Sequence, residues 1–111
     1  MDIATTEIHY YQTTSKRRPF QEWLDGLDTG LRQIAAVRLA RIRRGLSGDA
    51  EPVGEGVFEL KIDIGPGYRI YYGRDGKVVV VLLHAGEKKR QSADIRRAQA
   101  YWKDYLRRTR R

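Results

Sequence analysis

The sequence predicts an α+β domain in which helices pack on one face of a small antiparallel sheet. Stretches that alternate between apolar and polar side chains indicate strands, and stretches with apolar residues at helical spacing indicate helices. Two turn signals, Gly65-Pro66-Gly67 and Asp75-Gly76, separate the later strands, so neighbouring strands reverse direction. The predicted order is strand, helix, helix, three strands and helix, in one domain that spans residues 1–111.

The first half of the chain predicts one strand and two helices. Glu7–Tyr11 alternates and is rich in aromatic residues, which favours a strand. Pro19 suits the first position of a helix, because the backbone N–H that proline lacks would be unpaired there. Asp28 or Thr29 then caps a second helix that runs to about Leu46, where glycines end it.

The second half predicts three strands and a final helix. The strands are approximately Val57–Ile64, Tyr68–Arg74 and Lys77–Leu83, all rich in branched and aromatic residues. Ser92 or a neighbour caps the last helix, and a basic tail, Arg107–Arg111, ends the sequence. We expect the first strand to join the later ones in a single sheet.

The register of the predicted strands gathers polar side chains on one face. A two-residue turn at Asp75-Gly76 sets Arg74 opposite Lys77. An odd number of residues in the preceding turn sets Lys61 opposite Arg69, and burial favours this choice, since the alternative exposes large apolar side chains at roughly 1.5–3 kcal/mol each. We expect no helix to cover this face. The side chains predicted on it are Lys61, Arg69, Tyr71, Leu82 and His84.

The composition favours an anionic partner and excludes several kinds of chemistry. Lys and Arg number 22 against 14 acidic residues, a net charge of +8, which suits a phosphate-bearing partner, an acidic protein or an anionic membrane. The absence of cysteine excludes disulfides, thiolate metal sites and thiol catalysis, and two histidines are too few for a His-rich metal site. No apolar run approaches the roughly 20 residues of a membrane span, and a signal-peptide core is absent, so we expect a cytoplasmic protein.

Five cationic side chains in and beside the polar face are candidates for phosphate contacts. Arg69 offers a planar fork for two phosphate oxygens, and Lys61 offers a compact point charge. Lys88, Lys89 and Arg90 follow in a loop before the last helix, whose N-terminus also favours anions. The alternative is structural: Lys61 and Arg69 would pair with neighbouring carboxylates, and the basic loop would only be solvated.

Aromatic and histidine side chains on the same face have a functional and a structural interpretation. Tyr71 is a candidate for stacking on an RNA base, or else it is partly buried in the sheet. His84 ends a strand and is a candidate acid or base, or else a hydrogen-bonded structural residue. Trp23 and Trp102 lie on apolar helical stripes, so we expect both in the core.

The chain resembles the RelE/ParE toxin superfamily, and most closely its HigB-like, phage Gp49-like branch of addiction module killer proteins. The resemblance covers nearly the whole chain in collinear order, and GVFELKID followed by GPGYRIYY is specific to that branch. The matching segments are FQEWLDGLD at Phe20–Asp28, RIRRGLSGD at Arg41–Asp49, VGEGVFELKID at Val53–Asp63, GPGYRIYYGRDG at Gly65–Gly76 and VVVVLLHAGEKKRQSADIRRAQAYWKDY at Val78–Tyr105.

The resemblance implies a small α+β fold and the toxin of a type II toxin–antitoxin module. It implies an endoribonuclease that cuts messenger RNA on translating ribosomes and so inhibits translation, with neither a metal nor an organic cofactor. A cognate antitoxin, typically a helix-turn-helix protein from an adjacent gene, would neutralise it. The alternative on the same fold is a ParE-like inhibitor of DNA gyrase without nuclease activity. A third possibility is a decayed module whose product only binds its antitoxin.

By resemblance, three residues carry the cleavage of RNA by its own 2′-hydroxyl, which leaves a 2′,3′-cyclic phosphate. Arg69 corresponds to the transition-state stabiliser, Lys61 to the base or its electrostatic partner, and Lys88 to a phosphate contact or acid. The chain departs from its relatives at His84-Ala85-Gly86-Glu87-Lys88, and the C-terminal tyrosine of related ribonucleases has no clear equivalent. His84 therefore remains a candidate for the acid or the base.

Overall fold

The computed structural model describes residues 6–46, 48 and 50–110, and in them five strands and three helices. The strands are β1 (Glu7–Tyr10), β2 (Ala50–Pro52), β3 (Val57–Ile62), β4 (Tyr68–Asp75) and β5 (Val79–Glu87), and the helices are α1 (Pro19–Asp25), α2 (Thr29–Arg43) and α3 (Gln91–Thr109). A 3-10 helix, Lys88–Arg90, joins β5 to α3. The α+β class and the predicted order are confirmed, and β2 is an addition to them. Ser47 and Asp49 of the RIRRGLSGD motif and Arg111 of the basic tail lie outside the described residues.

No helix in the described part of the chain is long and apolar enough to cross a membrane.

The five strands form one sheet in the order β1-β5-β4-β3-β2. Neighbours from β2 to β5 are antiparallel, as predicted for β3, β4 and β5, but β1 runs parallel to β5, with Ile8 opposite Val80. The sheet is therefore mixed, because the long helical connection after β1 allows a parallel edge strand that a hairpin would not. β1 pairs only with Val79–Leu82, so the second half of β5 has no strand on that side within the described residues.

Local signals begin α1 and α2 as predicted, whereas α3 begins differently. Pro19 is in the first turn of α1, and the Asp28 carboxylate accepts a hydrogen bond from the Leu31 N–H at 2.8 Å as the cap of α2. Ser92 does not cap α3. Instead the 3-10 helix feeds directly into it, and the N-cap residue Arg90 makes no side-chain capping bond.

The turn between β4 and β5 is longer than predicted. Gly76–Val78 forms a three-residue turn, so Arg74 lies opposite Val80 rather than Lys77. Gly76 has φ of 71°, which glycine adopts without strain.

An extra residue in β5 changes the register a second time. Tyr71 lies opposite His84, whereas Tyr72 lies opposite Leu82, so Leu83 is a β-bulge. Compared with the predicted register, the longer turn and the bulge together shift the β5 residue opposite Tyr71 by an even number of positions. An even shift leaves a residue on the same face of the sheet. His84 therefore lies on the predicted face, while Leu82 lies on the opposite one, contrary to the prediction.

Helices cover both faces of the sheet, so the prediction that they pack on one face is wrong in this respect. The strands are apolar on both sides through most of their length, and α3 carries an apolar stripe of its own to cover the second side. On the first face, Phe20 and Ile42 pack against Leu60, Ile62, Ile70, Tyr72, Val80, Leu82 and Ala85. On the second face, Ala98 and Trp102 of α3 pack against Tyr11, Val57, Tyr71, Val81 and Leu83.

The C-terminal half of α3 fits closely on the sheet. The Trp102 ring lies against the backbone of Gly73, where a Cβ atom would be 2.5 Å from the ring. Tyr105 stacks on Trp102 with ring centroids 5.2 Å apart. Two tyrosine hydroxyls donate to carboxylates at the rim, Tyr105 to Asp75 at 2.6 Å and Tyr11 to Asp104 at 2.7 Å.

Candidate functional site

Lys61 of β3 and Arg69 of β4 lie directly opposite each other on the second face of the sheet, as predicted. The Lys61 side chain is 36% exposed, and its Nζ lies 3.4 Å from a carboxylate oxygen of Glu51 in β2. This ion pair is at the surface, where solvent makes such pairs weak. Lys61 is therefore available to an anion that competes with Glu51.

Arg69 is far less accessible than the sequence predicts, because the face it occupies is covered at this end by the start of α3. Its side chain is 5% exposed. The guanidinium Nη1 donates to the Tyr68 carbonyl at 2.9 Å and to the Asp63 carboxylate at 3.2 Å. Its Nε lies 3.9 Å from a Glu59 oxygen and has no hydrogen-bond partner in the described part of the chain. The expectation of an uncovered cationic face is wrong at Arg69.

Glu59 and Tyr71 are buried beside Arg69, under the first turns of α3. Glu59 is 2% exposed and accepts a hydrogen bond from Gln91 Nε2 at 2.8 Å. Burial, together with the nearby Glu59 carboxylate, raises the pKa of the Tyr71 hydroxyl far above its ordinary value. Because Tyr71 is fully buried, it cannot stack on an RNA base in this conformation, and that prediction is wrong.

The cations of the 3-10 helix face different surroundings. Lys88 lies beside Gly67, where a Cβ atom would be 3.3 Å from Lys88 Cβ and 3.8 Å from Arg69 Nη1. Lys89 is exposed, with its Nζ 3.6 Å from a Glu87 oxygen. Lys88 thus approaches the Arg69 end of the site, and Lys89 does not. A shallow concavity of about 370 Å³ follows this turn and is lined by Lys88, Lys89, Arg90, Gln91, Ser92, Ala93 and Arg96.

His84 forms a buried pair with Asp94 of α3. His84 Nε2 lies 2.9 Å from Asp94 Oδ1, and the two side chains are 14% and 9% exposed. His84 Nδ1 is buried without a partner among the described residues. The Asp94 carboxylate covers the backbone of Gly86, where any Cβ atom would overlap it. The structure thus provides an oriented imidazole next to, but separate from, the Lys61–Arg69 pair.

Asp94 is a residue of this site that the sequence did not predict. The contact with His84 depends on the path of the 3-10 helix that brings α3 back over β5, and no local sequence pattern predicts that path.

A groove of about 520 Å³ opens beside this pair, between α1 and α3, along the half of β5 that β1 leaves unpaired. Trp23 and Tyr68 form a partly exposed aromatic wall, with ring centroids 6.3 Å apart. Trp23 packs on the edge of the core as predicted, but it also lines this groove. The other lining residues are Glu22, Gly26, Leu27, His84, Ala85, Gly86, Glu87, Arg90, Asp94 and Arg97.

Metal binding has no evident site within residues 6–46, 48 and 50–110. There, no three His, Asp or Glu side chains are grouped so as to hold a metal ion.

Comparisons with known proteins agree with part of the resemblance. The family profile described as phage-derived protein Gp49-like (DUF891) matches residues 22–103. An uncharacterized protein of Haemophilus influenzae is 42% identical over 82 residues, which cover 72% of this chain and 82% of that relative. The profile match includes the Lys61–Arg69 pair, the His84–Asp94 pair and all the residues that line the groove. The Gp49-like assignment is thereby confirmed.

Proposed function

Because the chain belongs to the phage-derived Gp49-like family, which is associated with toxin–antitoxin modules, we propose that it is the toxin of a type II module. In this proposal it is a HigB-like member of the RelE/ParE superfamily and acts in the cytoplasm. It is a metal-independent endoribonuclease that cuts messenger RNA on translating ribosomes and so inhibits translation. The observation that carries the nuclease proposal is the position of Lys61 directly opposite Arg69, with Lys88 approaching the same end.

The reaction is an attack of a ribose 2′-hydroxyl on the adjacent phosphorus. A new oxygen–phosphorus bond forms, the bond to the 5′-oxygen breaks, and a 2′,3′-cyclic phosphate results. A base takes the 2′-hydroxyl proton, an acid gives a proton to the leaving 5′-oxygen, and cations stabilise the additional negative charge. Arg69 is the stabiliser, Lys61 is the base or its electrostatic partner, and Lys88 is the phosphate contact or acid.

Asp63 occupies the position on Arg69 that a phosphate would need. The Asp63 side chain is 73% exposed, so displacing it from Nη1 costs little burial. Nη1 would keep its hydrogen bond to the Tyr68 carbonyl, and the buried Glu59 carboxylate lies 3.9 Å from Nε, so the guanidinium stays oriented without Asp63. In the proposal, the scissile phosphate replaces the Asp63 carboxylate and meets an arginine that is already oriented.

His84 is the second candidate for acid–base chemistry. Its pairing with Asp94 orients the imidazole in the way that a carboxylate orients a catalytic histidine. A substrate that extends from Arg69 along β5 would reach this pair, because Gly86 lies opposite Arg69 and His84 lies opposite Tyr71.

The experiment compares RNA ends and growth in cells that express the chain. We expect growth arrest and new cuts within messenger RNA, and cyclic phosphate ends from the purified protein. Lys61→Ala should lower cleavage at least about a hundredfold, the usual effect of removing acid–base help, with unchanged thermal unfolding. Asp63→Ala should raise cleavage about threefold, because an exposed competing carboxylate is gone.

Lys77→Ala is the matched control, since Lys77 is an exposed lysine in the turn between β4 and β5. It should cleave as the natural chain does. If Lys61→Ala kept full activity, the proposed site would be wrong. Arg69→Ala is less informative alone, because Arg69 is buried and its loss also affects folding.

A second candidate function, ParE-like inhibition of DNA gyrase, is favoured by one observation. Arg69 is nearly buried and lies between two carboxylates, as a purely structural arginine would. A supercoiling assay separates the two: loss of gyrase activity with intact RNA would favour the inhibitor. The proposed antitoxin partner is a helix-turn-helix protein, and an adjacent reading frame that encodes one would support the module under either function.

A further inference from the structure

The groove between α1 and α3 carries more positive charge than its composition suggests. Its three acids are already paired, Glu22 with Arg17 at 2.6 Å, Asp94 with His84 at 2.9 Å and Glu87 with Lys89 at 3.6 Å. Arg90 and Arg97 also line it, and neither has an acidic partner in the part of the chain that the structure describes. Two unpaired guanidinium groups therefore face this groove, where an anion could meet both.

The opposite wall of the groove is aromatic. Trp23 and Tyr68 are each partly exposed there, with a 58° angle between their rings. Aromatic faces bind nucleic-acid bases by stacking and accept any base, because every base has a flat face. The volume, about 520 Å³, lies within the range of small-ligand sites, which is roughly 300–1,000 Å³.

We propose that this groove binds a nucleotide unit of single-stranded RNA, with its base against Trp23 and Tyr68 and its phosphates at Arg90 and Arg97. The inference rests on the proposed nuclease function and extends it, since it assigns the groove as the place that holds the substrate strand beside the cleavage site. His84 and Asp94 line the groove themselves, and Gly86, which also lines it, lies directly opposite Arg69 on β4. In this proposal the base stacks on Trp23 and Tyr68, which are partly exposed, instead of on Tyr71, which is buried.

A protein segment added to the free edge of β5 is the competing occupant. Such a segment would use the two arginines through acidic side chains, but it does not require exposed aromatic rings. One ligand that has both a base and a phosphate accounts for the combination of aromatic faces with two guanidinium groups.

The groove contains its own reporter. Trp23 lines it, whereas the other tryptophan, Trp102, is 5% exposed and packs against Gly73 under α3. A base that stacks on Trp23 should quench its fluorescence. The probe is a 2′-O-methyl tetranucleotide, which has no free 2′-hydroxyl and therefore cannot be cleaved.

We expect saturable quenching by this probe, which Trp23→Phe abolishes while the emission of Trp102 remains. Arg97→Ala should weaken binding about tenfold, as loss of one charge-assisted phosphate contact does, with unchanged unfolding. Lys103→Ala is the matched control, because Lys103 is an exposed cation of the same helix outside the groove. It should bind the probe within about twofold of the natural chain.

Three outcomes would overturn the inference. They are an absence of saturable quenching, equal weakening by Arg97→Ala and Lys103→Ala, or binding of an acidic peptide but not of the probe. Failure of the proposed nuclease function is distinguishable, because the probe reports binding alone. A chain that binds the probe through Arg97 but cuts no RNA keeps the groove and loses the nuclease. If the probe causes no quenching and Arg97→Ala leaves RNA cleavage unchanged, the nuclease proposal stands and the groove proposal is wrong.

Discussion

Towards its C-terminus, α3 lies on the sheet through the Trp102 ring, whereas towards its N-terminus it lies over Glu59, Arg69 and the His84–Asp94 pair. One helix thus covers one face of the sheet with apolar packing at one end and buried charge at the other. Apolar packing stabilises directly, but buried ion pairs seldom stabilise more than apolar side chains of the same size would. The polar end therefore has little value for stability alone, which is consistent with a site for chemistry.

Gly73→Ala should have the largest effect, and it breaks the apolar end. The new Cβ atom would be 2.5 Å from the Trp102 ring, which Tyr105 holds by stacking. We expect a loss of about 3 kcal/mol or more in the free energy of unfolding, measured by urea denaturation.

Gly30→Ala is its control, because a Cβ atom there makes only an ordinary contact, 3.6 Å from Asp28 Oδ1. Stability unchanged within about 0.5 kcal/mol is expected for it. Equal losses in both variants would show that the apolar end is not the tight contact described above.

Glu59→Gln tests the polar end. The substitution keeps the shape but removes the buried negative charge beside Arg69, so we expect a loss of about 2 kcal/mol. Glu55→Gln, at an exposed position, should change nothing in the same urea experiment. No loss in Glu59→Gln would mean that the carboxylate does not hold Arg69.

The double substitution Glu59→Leu with Arg69→Met sharpens the contrast between the two ends. Replacing the whole buried pair by apolar side chains should restore or raise the stability relative to Glu59→Gln, while cleavage of RNA is lost. A double variant that is less stable than Glu59→Gln would show that the buried pair at the polar end serves the stability of the fold rather than chemistry.

The pH dependence should be the smallest effect, and it originates at the apolar end. The hydrogen bond from Arg110, and after it the one from Tyr105, lowers the pKa of Asp75. The hydrogen bond from Tyr11 lowers the pKa of Asp104. Both carboxylates bind protons less readily in the folded chain. Their contribution is therefore complete above about pH 4, the unfolded value, and is lost as the pH falls through their folded values.

The tyrosines of the same contacts give the opposite sign in base. Burial first, and then the hydrogen bonds to the carboxylates, raise the pKa of Tyr11 and of Tyr105 to about 12. Their contribution is complete below about pH 10 and is lost as the pH rises through 12. Urea midpoints across this range should fall at both ends, and less so after Asp75→Asn with Asp104→Asn. Parallel curves for the two chains would contradict the assignment.

The sequence predicted those parts of the fold that depend on local signals. Pro19 and Asp28 begin their helices as expected, and the burial argument correctly paired Lys61 with Arg69. The bulge at Leu83 was not predictable, because a run of apolar residues fits either face of a strand covered on both sides. The prediction put His84 on the correct face only because two register errors cancelled.

The site was less predictable than the fold because burial there is set by a distant element. No residue near Arg69 or Tyr71 in the sequence indicates that α3 lies over them. The helical spacing of Trp23 would be the same whether its side chain lay at the centre of the core or at its edge. Asp94 meets His84 only through the path of the chain after β5. Patterns within one element report which side is apolar, but they do not report what covers it.

The 3-10 helix at Lys88–Arg90 has a consequence for how charge is read from sequence. With three residues in each turn, consecutive side chains point about 120° apart. Lys88 lies towards Arg69, Lys89 towards Glu87, and Arg90 towards the groove. Three adjacent cations, which are equivalent in a count of charges, thus lie at three different surfaces of the molecule. Exchanging Lys88 with Arg90 would keep the net charge but change the cation both beside Arg69 and in the groove.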